Sequence, residues 1–201
     1  VLYNKWEPPY YPFKLDSSFD GVLYIGQHAK AGTKFAHLPH TGSHHVLDEW
    51  INGRSYGEFG GFTMIATHLG VPVIFGSGDK AFTLEAKDIV PNIVTVAVKE
   101  GKNKDTGEAY CFEVYDGLFG DCDSLPPEEA QQAIYEGVKQ AMLLLRECGK
   151  GHFVPRGLPP PPYHMVLELR STNGSPGRAL FSYHESDPIG LFTAPKKEIY
   201  Q

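Results

Sequence analysis

Val71–Glu100 reads VPVIFGSGDKAFTLEAKDIVPNIVTVAVKE, and the order of elements in it decides the fold. The apolar run VPVIF has the length of a buried strand and ends at Gly76 and Gly78. A helix is expected from Asp79 to about Ile89, and Pro91 ends it. A second apolar run, NIVTVAVKE, follows directly. Strand, short crossover helix and strand make a βαβ unit, which joins parallel neighbours. The expected class is α/β: a three-layer sandwich with a largely parallel central sheet, plus a smaller C-terminal α/β extension.

Upstream, Asp20–Gly26 (DGVLYIG) is a short apolar run closed by glycine and reads as a further buried strand. The stretch Gly26–Val46, GQHAKAGTKFAHLPHTGSHHV, is broken by Gly32, Pro39 and Gly42 and is expected to be loop. VLDEWINGRSYGE carries the Asn52-Gly53 turn signal of a hairpin. In EFGGFTMIATHLG, Phe62, Ile65, Ala66 and Leu69 recur at helical spacing, and Gly70 stops the helix.

Downstream, residues 101–125 are polar and read as an irregular excursion. Pro126–Cys148 is the clearest helix, with Ser124 as its expected N-cap and Ile134, Val138, Met142 and Leu145 as its core stripe. VPRGLPPPPYH is an extended linker, HMVLELRS a last strand, and the tail beyond it is loop-rich with no clear final element. The expected organisation is a core α/β region over 1–125, followed by 126–201 with the long helix, linker and C-terminal strand. The opening WEPPYYPF is aromatic and proline-rich and needs a surface to pack on.

The totals narrow the functional classes. A net charge of -6 argues against binding nucleic-acid backbones, which needs a basic face. No run of 18 apolar residues is present, so no membrane span is expected. Cys111, Cys122 and Cys148 are odd in number and form no CxxC pair, which points to a reducing, cytoplasmic setting. Cys111 with Cys122 is the pair that would bridge in an exported protein.

Two constellations bear on chemistry. Gly76, Gly78 and Ala81 spell G-x-G-x-x-A after a strand, and Glu100 lies 24 residues beyond Gly76, in outline a dinucleotide fingerprint. Asp79 opposes it, because a carboxylate there would repel a pyrophosphate; the alternative is a tight turn with Asp79 as N-cap. The second constellation is the histidine loop. Five of the nine histidines, His28, His37, His40, His44 and His45, lie between positions 28 and 45. His28 follows a strand end, and Glu58 opens a helix. Imidazole and carboxylate suit zinc-like metals, yet no HExxH spacing is present, so a metal site and a hydrogen-bonded polar loop both stand. Ser43 beside His44 and His45 lacks a nucleophile elbow, and the cysteines lie far from the histidines.

The blocks GVLYIGQHAKAGT, LPHT, INGRSYGEFG, VPVIFGSGD and VPNIVTVAVKEG, in this order and spacing, resemble the DppA-type D-aminopeptidases, the M55 metallopeptidase family. The resemblance covers about Asp16–Gly101 and, more loosely, the long helix. It implies a homodecameric enzyme that hydrolyses short D-amino-acid-containing peptides such as D-Ala-D-Ala with two bridged zinc ions. By the same resemblance His28 and Glu58 are metal ligands and His40 is the catalytic histidine, nucleophile or base. The family's remaining ligands, an Asp-x-Glu segment and a following histidine, precede the matching region, so the chain is expected to be partial. The 101–125 insertion and the additional His44 and His45 depart from the family pattern. A homo-oligomeric metal-dependent aminopeptidase or amidohydrolase is therefore the expected function. A degraded, non-enzymatic copy kept as a structural or binding protein is the main alternative, with a nucleotide-binding oxidoreductase behind it.

Overall fold

The computed structural model describes residues 14–199, so the aromatic opening and the last two residues lie outside the described part. The element order is β1 (Val22–Gln27), β2 (Val46–Ile51), β3 (Arg54–Ser55), α1 (Glu58–His68), β4 (Val73–Asp79), α2 (Lys80–Ile89) and β5 (Val94–Gly101). There follow α3 (Phe112–Leu118), β6 (Cys122–Ser124), α4 (Pro127–Cys148), β7 (Tyr163–Leu169), β8 (Arg178–His184), α5 (Pro188–Thr193) and β9 (Lys197–Ile199).

The first sheet has the order β1-β4-β5-β6. β1 and β5 each pair parallel with β4, as the βαβ reading requires, while β6 pairs antiparallel with β5. Successive strand residues point to opposite faces. Phe75 of β4 meets α4, where a Cβ added to Gly137 would stand 2.6 Å from the Phe75 ring. The next residue, Gly76, meets Phe82 of α2, 3.0 Å from where its Cβ would be. The two helices thus cover opposite faces of a largely parallel sheet, the layering expected from the sequence.

The second sheet is antiparallel, in the order β3-β2-β7-β8-β9. The Asn52-Gly53 hairpin is present, and β2 pairs on its other side with β7. The loop-rich tail expected after β7 is instead two further strands with α5 between them. Their signal is weak because β8 pairs along its length with β7 rather than carrying a strict alternation of its own.

Three other expectations need correction. The 101–125 excursion contains α3 and the edge strand β6. β6 is three residues long and polar, and it forms only because Lys99–Gly101 offers it an edge. A helical signal for α3 was present, since Phe112, Tyr115 and Phe119 recur at i, i+3 and i+7, with Tyr115 and Phe119 buried. The N-cap position of α4 is Pro126 rather than Ser124. The stripe on α4 is also rotated: Gly137 and Ala141 are its buried centre, Ile134, Val138 and Leu145 flank the core, and Met142 is 58% exposed. Small residues sit at the centre because the helix approaches Phe75 and Val96 closely.

α1 is buried nearly all round, from Phe59 to Ala66, with Phe62 partly buried. Gly60 faces Tyr56 and Ile89, and Gly61 faces the Phe192 ring, where added Cβ atoms would stand 2.5 and 2.7 Å from the nearest atoms. The helix is therefore wedged between neighbours rather than lying on one surface, and a one-sided stripe underdescribes it.

Candidate metal centre

β1 delivers His28 to the carboxyl end of the parallel sheet, where α/β folds gather their sites. The chain then loops to His45 and returns as β2, so His40 swings back over His28: the His40 amide donates to Ala29 O at 3.2 Å. Glu58 is the first residue of α1, where free backbone amides favour a negative side chain.

The two imidazole rings stack, with centroids 3.7 Å apart and planes 19° from parallel. His28 Nδ1 lies 3.0 Å from Ala29 O, and His40 Nδ1 lies 2.9 Å from Leu38 O. A carbonyl only accepts, so Nδ1 carries the proton in each ring and Nε2 presents a lone pair. Those two Nε2 atoms face the two oxygens of Glu58, at 3.6 Å for His28 and 3.7 Å for His40. Glu58 is itself held, its Oε1 accepting the Gly42 amide at 2.8 Å and its Oε2 the Gln27 side-chain amide at 3.3 Å. Burial, the largest cause, pushes the His28 imidazole below its ordinary pKa, toward the neutral form a metal requires.

One donor atom from each of His28, His40 and Glu58 lies within 4.8 Å of the other two. Separations of 3.6–3.7 Å are too long for hydrogen bonds. They lie at or just above the separation of about 3.3–3.6 Å between ligand atoms that tetrahedral zinc bonds of about 2.0–2.2 Å produce, so a small inward shift of the side chains would close them on an ion. The donor set, its anchored Nδ1 atoms and its spacing fit a zinc-like ion.

The remaining histidines of the loop separate. His37, expected at the loop surface or facing substrate, has its Nδ1 buried and donates its backbone amide to Asp79 Oδ2 at 3.2 Å. His44, of which the same was expected, lies beside the centre with Nδ1 2.6 Å from Asp116 Oδ1. His45 stacks on Phe112, centroids 3.6 Å apart. Asp116 escaped the sequence reading because it lies 72 residues from His44, and no local spacing links them.

The glycines of G-x-G-x-x-A serve the protein's own packing. A Cβ on Gly78 would stand 1.9 Å from Gln27 O, and one on Gly76 would press on Phe82. Asp79 occupies the N-cap position of α2, but its side chain makes no cap hydrogen bond; it is fully buried and accepts from His37. The turn is filled by chain where a pyrophosphate would need room.

Two carboxyls, the buried Glu49 and the half-buried Glu85, flank the centre. Burial pushes Glu49 and Glu85 up to about 7. Glu85 Oε2 accepts the Lys30 amide at 2.8 Å, two residues beyond His28. A folded pKa above the unfolded value means the folded state holds the proton more tightly. The stability each carboxyl contributes is therefore complete below about pH 4.5 and lost as pH rises to about 7. Wild-type protein is expected to lose more of its urea midpoint between pH 5 and pH 8 than Glu49→Gln does. Parallel midpoints in the two proteins would refute the burial account of Glu49.

Fold and donor geometry together describe an α/β protein with two imidazoles and a carboxylate converging at strand ends, a donor set that suits zinc-like ions. A family model described as Peptidase_M55, D-aminopeptidase, matches residues 10–180, and the chain belongs to that family. The D-aminopeptidase of Bacillus subtilis (strain 168) is 37% identical over 86 residues, which are 43% of this chain and 31% of that protein. The fold is also that of a solved structure described as the Zn-dependent D-aminopeptidase DppA from Bacillus subtilis, a self-compartmentalizing protease. The TM-score is 0.66 at 21% identity, covering 89% of this chain and 62% of the other. The chain thus spans less than two thirds of the length of either relative. No helix among the described residues is long and apolar enough to cross a membrane.

Proposed function

We propose that this chain carries part of the active site of a zinc-dependent aminopeptidase acting on short peptides that contain D-amino acids. The observation that carries the reading is the convergence of His28 Nε2, His40 Nε2 and the Glu58 carboxylate, with both imidazole tautomers set by backbone carbonyls. Family membership supplies the reaction class, and the relative's zinc dependence supports the metal.

In this reading His28 and Glu58 hold the metal and His40 acts on the reactants. Bound zinc supplies Lewis acidity toward the scissile carbonyl. Gln27 and the Gly42 amide keep the Glu58 carboxylate facing the two imidazoles. The His40 Nε2 lone pair takes a proton from the attacking water and returns it to the departing amine. The stacked His28 ring and the Leu38 carbonyl keep that nitrogen aimed at the centre. Zinc takes four groups or three and water, so with His28 and Glu58 as ligands a first ion needs a further donor, and the family's second ion needs more. We place the protein in the cytoplasm as a homo-oligomer, a decamer by family resemblance. Its three thiols are all free, which suits a reducing compartment.

The test is metal content with turnover in the full-length protein. Wild type is expected to carry zinc, to hydrolyse D-Ala-D-Ala, and to lose activity to a chelator and regain it with zinc. Glu58→Gln, which exchanges an anionic donor for a neutral one, is expected to lose most of the bound zinc at unchanged helix content. Metal-free wild type without turnover would overturn the reading and favour the non-enzymatic one.

A further inference from the structure

Three imidazoles in the loop have Nδ1 tied to an oxygen, and the third tie differs in kind. His28 and His40 use carbonyls one and two residues away, whereas His44 uses the Asp116 carboxylate of α3 at 2.6 Å. The His44 ring then meets the His40 ring near perpendicular, with centroids 4.9 Å apart and planes at 72°. Tyr115, the neighbour of Asp116, meets His44 in turn at 5.9 Å and 83°. Its hydroxyl donates to Pro39 O at 2.6 Å, on the residue immediately before His40. Leu38 donates its amide to Phe119 O at 3.0 Å. The segment that departs from the family pattern therefore grips the His40 loop by backbone, and grips the ring beside His40 by one carboxylate.

An exposed ion pair does little for stability, and Asp116 is 57% exposed in its side chain. What the carboxylate does supply is direction. It only accepts, so His44 carries its proton on Nδ1 and cannot turn its ring over without losing the bond. A ring fixed in this way restricts its neighbour. His40 has a stacked partner in His28 and a perpendicular one in His44, both favoured aromatic geometries.

We propose that Asp116 and His44 form a positioning unit for His40, by which α3 holds the His40 ring with its Nε2 facing the centre beside Glu58. The inference rests on the reading of His40 as the group that acts on substrate. Neither residue is a metal ligand in it, and neither passes a proton.

Asp116→Ala and Asp116→Asn in the full-length protein test it, by 15N spectra of histidine-labelled protein and by kinetics. In Asp116→Ala the His44 ring is expected to populate both tautomers and the His40 Nε2 resonance to shift or broaden, with zinc content unchanged. Turnover of D-Ala-D-Ala falls about 10–100-fold in kcat, the usual effect of losing an outer-shell partner, with KM within about twofold. Asp116→Asn keeps an acceptor oxygen for Nδ1 and restores most of kcat. An unchanged His40 resonance in Asp116→Ala overturns the proposal. So does a loss in Asp116→Asn as deep as in Asp116→Ala, which would assign Asp116 a charge or proton role. If His40 responds as expected while wild type turns over no D-peptide, the positioning unit stands and the peptidase reading falls.

Discussion

His40→Ala is expected to lower kcat for D-Ala-D-Ala by about 10²–10⁴-fold, the range for losing a positioned acid–base group, while zinc content and helix content stay at wild-type values. The reason is geometric. His28 and Glu58 remain in place without His40, since Glu58 is held by Gly42 and Gln27, and His28 by Ala29. The His40 side chain is 26% exposed, so water fills the space and little stability is lost. Metal analysis by mass spectrometry beside steady-state kinetics separates the roles. Zinc loss in His40→Ala equal to that in Glu58→Gln would make His40 a third ligand rather than the acting base. Unchanged turnover would remove His40 from the reaction altogether.

Gly78→Ala is expected to be the most damaging single methyl in the parallel sheet. Its Cβ would stand 1.9 Å from Gln27 O and 2.7 Å from Gln27 N, and both are backbone atoms that no rotamer change can move. Gly78 also has φ +152°, which an L side chain rarely adopts. Backbone strain of about 1–3 kcal/mol and overpacking of similar size together cost about 2–6 kcal/mol, a large share of ordinary domain stability. For a chain of this length that lowers Tm by about 4–24 °C. Gly26→Ala is the control, because its added Cβ meets nothing within 4 Å and only its φ of +79° is unfavourable. Calorimetric melts showing Gly78→Ala no worse than Gly26→Ala would sink the close-approach account. The effect reaches the centre as well, since Gln27 pairs with Gly78 and directly precedes His28.

Much of the first sheet was legible because its signals are local. Apolar runs bounded by Gly76, Pro91 and Gly101 mark strands whatever lies around them. The second sheet was legible in part, since Asn52-Gly53 marks its β2–β3 turn and HMVLELRS its β7 strand, while its last two strands were hidden. β8 and β9 take their strand character from partners in register, Leu167 opposite Leu180 and Leu180 opposite Glu198. The pairing of β2 with β7 joins residues on either side of position 125, with Trp50 Nε1 donating to Glu168 Oε2 at 3.1 Å.

The candidate centre divides in the same way. Residue type and strand-end placement pointed to His28 and Glu58 as metal-suited residues, and the resemblance carried by the block order added His40. Sequence alone thus determined the α/β class and the family resemblance, and through that resemblance it named the three residues on which chemistry is expected, because strand runs and block order are read along the chain. Tertiary structure decided which histidines stand beside the centre and which do not. His44 lies next to His40 because Asp116 reaches it from α3, whereas His37 has its Nδ1 buried and its amide on Asp79. It also decided which way each anchored ring presents its nitrogen. His28 and His40 take their anchors from carbonyls one and two residues away once the loop is folded, whereas the acceptor that holds His44 lies 72 residues away along the chain.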